Sequence, residues 1–583
     1  MADKGKNLTR RQALLGAGAA TAALGTISLT SSKAFAAESW DHEADIVVVG
    51  SGIGASTAAI TAHDKGNTVI MVEKAPFFGG TSAKTAGVIW VPNNFTLKQK
   101  GVTDSKEDCL KYLARYSYPE RFDPASPTLG LPADAYALLE TFYDNASPAA
   151  DKLRESGALR LMEWRMFALD RPTVDYLDNV PENKVPTGRA LGVNKADGSL
   201  GYGVDMMAQL QDAIRKRGSK ILMGHRAMRL IMNANGRVIG LEADVGGKQI
   251  KLKARKAVIF GSGGYVHNTD SVLHNQRNNI YGSCATPMAT GDFINIAGAV
   301  GARFGNMASA WRTQIILEKS LENRHLPAGV FFPPGDSAFQ VNKYGLRAVD
   351  EKRNYNDRTE VHGIFNPTKD EYPNQLMFMI YDQRTAEAFA GAEPLPEKPL
   401  AEKYVMTGDT LEELAAQIAG RLKSIAPRTG GLSLDPAFLT NLKKTFARFN
   451  SFAEKGKDED FGRGDASYDR EWHLVFSPMR QGTKWPKNTK ANFTMYPLAK
   501  KGPYYAVILA AGALDTNGGP MIDPKARVLD THDKPIPGLY GTGNCIASPS
   551  GRAYYGAGCP LGLSMTFGFI AANAAHLEQG GDV

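Results

Sequence analysis

The most constraining feature of the chain is a glycine-rich turn near residue 50, set between a short apolar strand and a helix. Residues Ala44-Asp45-Ile46-Val47-Val48-Val49 are a β-branched run that ends at Gly50-Ser51-Gly52-Ile53-Gly54-Ala55, the pattern G-x-G-x-x-A. A helix from Ala55 to Asp64 and a second strand, Thr68-Val69-Ile70-Met71-Val72, follow. Gly50 permits the tight turn, Gly52 and Gly54 keep backbone free to approach a pyrophosphate, and Ala55 lets the helix pack close to the sheet. The second strand ends in Glu73, 23 residues after Gly50, where a carboxylate accepts hydrogen bonds from ribose hydroxyls. Strand, turn, helix, strand and acid in this order predict an α/β fold with a Rossmann-type dinucleotide site, flanked by Lys74 directly after the acid.

The next segment separates one dinucleotide from another. Lys74-Ala75-Pro76-Phe77-Phe78-Gly79-Gly80-Thr81-Ser82, followed by Gly87-Val88-Ile89-Trp90, resembles the fumarate reductase and ketosteroid dehydrogenase flavoprotein superfamily. So do Ala257-Val258-Ile259-Phe260-Gly261-Ser262-Gly263-Gly264 and Ile536-Pro537-Gly538-Leu539-Tyr540-Gly541-Thr542-Gly543-Asn544. The resemblance implies non-covalent FAD, with Gly80, Thr81 and Ser82 along the flavin and Gly263, Gly543, Asn544 and Leu561 also against the cofactor. The positions of these pieces place a Rossmann-type FAD-binding domain at 41–280 and 505–583, with an inserted α+β cap domain at 281–504. Within the insert, Gln375 to Tyr381 reads as a strand and Leu411 to Leu422 as an amphipathic helix.

Flavin chemistry defines a redox reaction and leaves the substrate to the groups around the ring. Tyr554-Tyr555-Gly556-Ala557-Gly558 resembles the Y-x-G-x-G segment of ketosteroid Δ1-dehydrogenases, which implies that the Tyr554 hydroxyl and the Gly558 amide donate to a ring ketone. Two such donors stabilise the enolate that forms when the adjacent carbon loses a proton. Val341 to Tyr355 resembles the superfamily's V-N-x-x-G-x-R-x-x-x-E segment; four residues after the glutamate, where fumarate reductases carry an arginine proton donor, this chain has Tyr355. The resemblance makes Tyr355 the base, and Tyr176, in Thr173-Val174-Asp175-Tyr176, its assistant. A tyrosine base needs help, since its ordinary pKa is about 10. Arg353 is the alternative proton donor of a reductase, two residues out of register. The implied substrate is a ketosteroid or another cyclic ketone, and the electron acceptor a quinone, a cytochrome or another carrier.

Residues 1–36 read as a twin-arginine export signal: basic Lys4, Lys6, Arg10 and Arg11, an apolar stretch from Ala13 to Leu29, and the A-x-A site Ala34-Phe35-Ala36. The mature protein is expected in the periplasm with no transmembrane anchor. Without the signal the formal charge of +8 falls to +4, too small for a nucleic-acid binder. Cys109, Cys284, Cys545 and Cys559 are scattered and form no C-x-x-C, so the sequence predicts no metal site.

Overall fold

The computed structural model describes residues 39–166 and 169–580; the expected export signal lies outside them. The predicted βαβ unit is present. Strand His42–Val49 pairs in parallel with Val69–Glu73 on one side and Lys248–Phe260 on the other, and Lys220–Met223 and Pro535–Gly541 extend the sheet in parallel. Ile46, Val47 and Val48 are fully buried, as expected for a parallel strand covered on both faces.

Two helices fix the turn that follows the first strand. Ile53–Asp64 starts with Gly52 as N-cap, two residues earlier than the apolar pattern indicates. The last helix, Cys559–His576, is apolar on all sides and buried, which marks a core helix. It crosses the first helix closely: a Cβ at Gly568 would overlap the Gly54 carbonyl, and one at Gly54 would lie 2.9 Å from the Ser564 carbonyl oxygen. This helix begins at Cys559, earlier than the predicted Leu563. Gly558, in a left-handed conformation at φ +85°, caps it, and Pro560 falls in the first turn where its missing N–H costs nothing.

A second sheet is organised on the long strand Tyr504–Thr516, which pairs antiparallel with Leu376–Asp382 and with Ala310–Ile316. Ala338–Val341 continues it beyond Leu376–Asp382. Helices Leu411–Ile425 and Phe438–Lys455 cover it through Leu414, Ile418, Leu442 and Phe449, giving a core separate from that of the parallel sheet. A small sheet of Val88–Trp90, Leu161–Glu163 and Ala190–Val193 lies against the start of the last helix, with Trp90 N–H donating to the Gly558 carbonyl. Among the described residues no helix is long and apolar enough to cross a membrane, and no cluster of His, Cys, Asp and Glu could hold a metal. The four cysteines are buried thiols.

Candidate active site

A continuous cavity of about 530 Å³ runs from the glycine turn of the parallel sheet to a group of tyrosines. At its first end lie Gly50, Gly52, Gly54, Glu73 and Lys74. Gly50 has φ +101°, and a Cβ there would overlap the Gly261 carbonyl, so the turn accepts only glycine. Ala55 is not on the wall: it sits behind, 3.0 Å from where a Cβ on Gly261 would be, and so sets the helix-to-sheet distance. The Glu73 carboxylate receives the Ser51 hydroxyl at 2.7 Å and the Ala75 N–H at 2.8 Å, one on each oxygen. Each oxygen keeps a second lone pair for a ribose hydroxyl. Lys74 is tied to Thr290 at 2.7 Å and to Asp292 at 3.0 Å.

The middle of the cavity is walled by Gly80, Thr81, Ser82, Gly263, Gly543, Asn544 and Leu561, all expected from the sequence. Ser82 Oγ accepts the N–H of Ile53, joining the second glycine segment to the first helix at 3.2 Å. Asp515 fastens the other two segments, accepting the Gly264 N–H at 2.9 Å and the Asn544 amide at 3.1 Å. The small residues, the helix N-terminus and the carboxylate at the far end of an elongated cavity suit a flavin dinucleotide.

At the other end three tyrosines from separate parts of the chain meet. Tyr176 donates its hydroxyl to that of Tyr355 at 2.8 Å. Its ring stacks on Tyr554 at 5.0 Å, and Tyr355 stands edge-on to both, 5.3 Å from Tyr176 and 5.4 Å from Tyr554. All three are buried and line the cavity. Burial raises the Tyr355 phenol above its ordinary value, while the hydrogen bond from Tyr176 acts in the opposite sense. Tyr176 and Tyr554 are pushed well above the ordinary value, first by burial and then by neighbouring tyrosines. A negative charge in this group is therefore best held on Tyr355, whose oxygen accepts the Tyr176 hydroxyl.

Gly558 completes this end. A Cβ on it would overlap the Val88 carbonyl, so the position is closed to any side chain. As N-cap of the last helix it presents an N–H outside the helix's own bonds. Arg353, in contrast, is absent from the wall and pairs with Asp357 at 3.5 Å. The Arg and Glu of the motif before Tyr355 form a buried ion pair, Arg347 to Glu351 at 2.8 Å, extended by Asp458 and Arg463, which anchors that segment.

The rest of the wall goes beyond the residues expected from the sequence. Trp311 stands edge-on to Tyr554 at 5.4 Å and is held by its indole N–H to Asn544 at 2.9 Å. Tyr468, Trp472 and Phe476 stack along one face of helix Ser467–Phe476, with rings 4.9 and 4.5 Å apart, and Trp472 and Phe476 reach the cavity. Their spacing of four residues is a helix-face signal visible in the sequence. Phe331, 5.2 Å from Tyr355, carries no such signal.

Known proteins resemble this chain over most of its length. The FAD binding domain family profile matches residues 45–561. The chain is 30% identical to a 3-oxosteroid 1-dehydrogenase of Mycolicibacterium smegmatis, covering 91% of this chain and 97% of that protein. It is 29% identical to a 4-oxocyclohexanecarboxylate 2-dehydrogenase of Sinomonas cyclohexanicum, covering 92% and 93%. Among solved structures, the 3-ketosteroid Δ1-dehydrogenase of Sterolibacterium denitrificans in complex with 1,4-androstadiene-3,17-dione superimposes with a TM-score of 0.75 at 26% identity, covering 92% of this chain and 99% of that one.

Proposed function

The chain belongs to the FAD binding domain family and binds FAD, and from that premise we propose that it dehydrogenates 3-ketosteroids, placing a double bond between C1 and C2. One observation carries the reading: Tyr176, Tyr355 and Tyr554, with Gly558, converge on one end of the cavity whose other end is the dinucleotide site.

The residues divide the work. Tyr554 O–H and Gly558 N–H donate to the ring ketone and stabilise the charge that builds on its oxygen. Tyr355 removes the proton from the adjacent carbon. Tyr176 donates to the Tyr355 oxygen and so stabilises its ionised form. The aromatic wall of Trp311, Phe331, Trp472 and Phe476 takes up the apolar body of the substrate. FAD, when bound, supplies the two-electron oxidant for the neighbouring carbon.

A second reading keeps this chemistry and moves the substrate to a smaller ring ketone bearing a carboxylate. It is favoured by Lys84, which lines the cavity and has no ion pair among the described residues; it donates to Leu326 O at 3.2 Å and contacts His325 at 2.7 Å. Export is part of the proposal, supported by Arg10-Arg11, the apolar stretch and Ala34-Phe35-Ala36. In the periplasm the electrons would pass to a quinone or a cytochrome.

The test is anaerobic flavin absorbance while 4-androstene-3,17-dione, cholest-4-en-3-one and a 4-oxocyclohexane carboxylate are added in turn. Bleaching by a steroid with recovery of the 1,4-diene-3-one is the expected result. Bleaching only by the carboxylate selects the second reading, and no bleaching by any ketone rejects both.

A further inference from the structure

Behind the tyrosines lies a buried charge network that none of these steps uses. Arg189 is 0% exposed and grips Asp104 with two hydrogen bonds, at 2.9 and 2.7 Å. It donates a third to Asp175 Oδ2 at 2.7 Å. The other oxygen of Asp175 receives the Trp90 indole N–H, also at 2.7 Å. A buried ion pair is weak evidence for stability, because desolvation offsets much of its attraction; what it supplies is fixed geometry.

The geometry concerns the neighbour of Asp175. Tyr176 sits in a loop, its backbone N–H bound to the Tyr555 carbonyl at 3.0 Å. Trp90, on the far side of the Asp175 carboxylate, gives its backbone N–H to the Gly558 carbonyl at 3.2 Å and lays its ring 5.3 Å from that of Tyr555. Between them a Cβ on Gly556 would lie 2.6 Å from the indole and 3.0 Å from Asp175 Oδ1, so no side chain fits. The turn carrying Tyr554 and Gly558 runs directly into the last helix, with Gly558 as its N-cap. The loop carrying Tyr176 belongs to no helix or strand.

We propose that Asp175 is a positioning residue, which through the Trp90 indole and Arg189 registers the Tyr176 loop against the Tyr554–Gly558 turn and so keeps the Tyr176 hydroxyl on Tyr355. The role rests on the proposed ketone dehydrogenation. Misplacing a catalytic group by about 1 Å costs up to about 100-fold in rate, and here the loss is capped by what the Tyr176 hydroxyl itself contributes. Neither Asp175 nor Trp90 lines the cavity, so KM should stay nearly constant while kcat falls.

The experiment compares Asp175→Asn, which keeps the shape and removes the charge, with Trp90→Phe, which removes the indole N–H and keeps a ring. Both are made in the flavin-loaded enzyme, alone and with Tyr176→Phe, using whichever ketone bleaches the wild type. Each single variant is expected to retain flavin and lose kcat by about tenfold, as a partial misplacement does. In the Tyr176→Phe background the further loss should shrink to below about threefold, because the hydroxyl being positioned is gone. Losses that multiply in that background overturn the proposal, as does an unchanged kcat in flavin-loaded Trp90→Phe, which decides the matter if Asp175→Asn does not fold. A wild type bleached by no ketone rejects the dehydrogenase reading and the positioning role together; a bleached wild type with multiplying losses rejects only the second.

Discussion

The two ends of the cavity are built on different principles. At the dinucleotide end the decisive groups are backbone: Gly50, Gly52 and Gly54 at a strand-to-helix turn, with Glu73 at the tip of the next strand. At the tyrosine end they are side chains brought from residues 176, 355 and 554, and their geometry depends on edge-on and stacked rings and one hydroxyl-to-hydroxyl bond. The first kind of site is determined over about thirty residues of contiguous chain. The second exists only when both sheets are assembled. Damage to the first should remove the cofactor; damage to the second should spare it and remove chemistry.

Gly50→Val gives the largest effect and the sharpest test of that division. A side chain there overlaps the Gly261 carbonyl at a φ of +101°, so the turn cannot close and the purified protein should carry no flavin absorbance and no activity. Tyr355→Phe is the counterpart at the other end. It should lower kcat by about 10²–10⁴-fold, the usual worth of a general base, with flavin content unchanged. Flavin loss from Tyr355→Phe, or flavin retention by Gly50→Val, would break the comparison.

Tyr176→Phe is expected to cost less, about 10- to 100-fold in kcat, the value of one hydrogen bond to a charged oxygen. It also has a signature in pH. Because burial raises the Tyr355 phenol, the ionised base is scarce at neutral pH and activity should climb toward alkaline pH. Removing a bond that favours ionisation moves that climb to still higher pH. A pH profile of Tyr176→Phe superimposable on the wild type would separate Tyr176 from the base.

The same contrast explains what was legible in the sequence. The glycine turn, its strands and Glu73 could be read because local spacing determines them; the structure moved the helix starts, where Gly52 and Gly558 act as caps earlier than the apolar pattern indicates, and set Ala55 behind the wall instead of on it. The tyrosines were reached through family resemblance, since nothing in the residues near 176, 355 and 554 says that they touch. Asp175 stands next to Tyr176 in the chain, but its partners Arg189 and Trp90 are 14 and 85 residues away and are brought together where strand Val88–Trp90 pairs with Ala190–Val193. Phe331 and Trp311 stayed hidden for the same reason, as single aromatic residues with no period to betray a common face.

Asp515 has no part in the chemistry and offers a way to sharpen the comparison through stability alone, because it is a side chain that fastens two segments of the backbone-built end. It bridges the Gly264 N–H and the Asn544 amide, and burial pushes its carboxyl up to about 6, against those hydrogen bonds. In the unfolded chain an aspartate titrates near 3.9. Between about pH 6 and 4 the folded protein thus holds a proton that the unfolded chain lacks, and this group stabilises the fold on acidification. The contribution is fully present below the unfolded value and is lost as pH rises through about 6. Its size is about 3 kcal/mol, because each tenfold difference in proton affinity between the folded and unfolded chain is worth about 1.4 kcal/mol. In flavin-stripped protein, urea unfolding from pH 7 to pH 4 should show the wild type gaining on Asp515→Asn by about that amount, since the amide cannot take up the proton. A stability difference that stays flat over this range would mean that Asp515 is better solvated by its amide donors than its burial implies, and that the dinucleotide end depends on backbone alone.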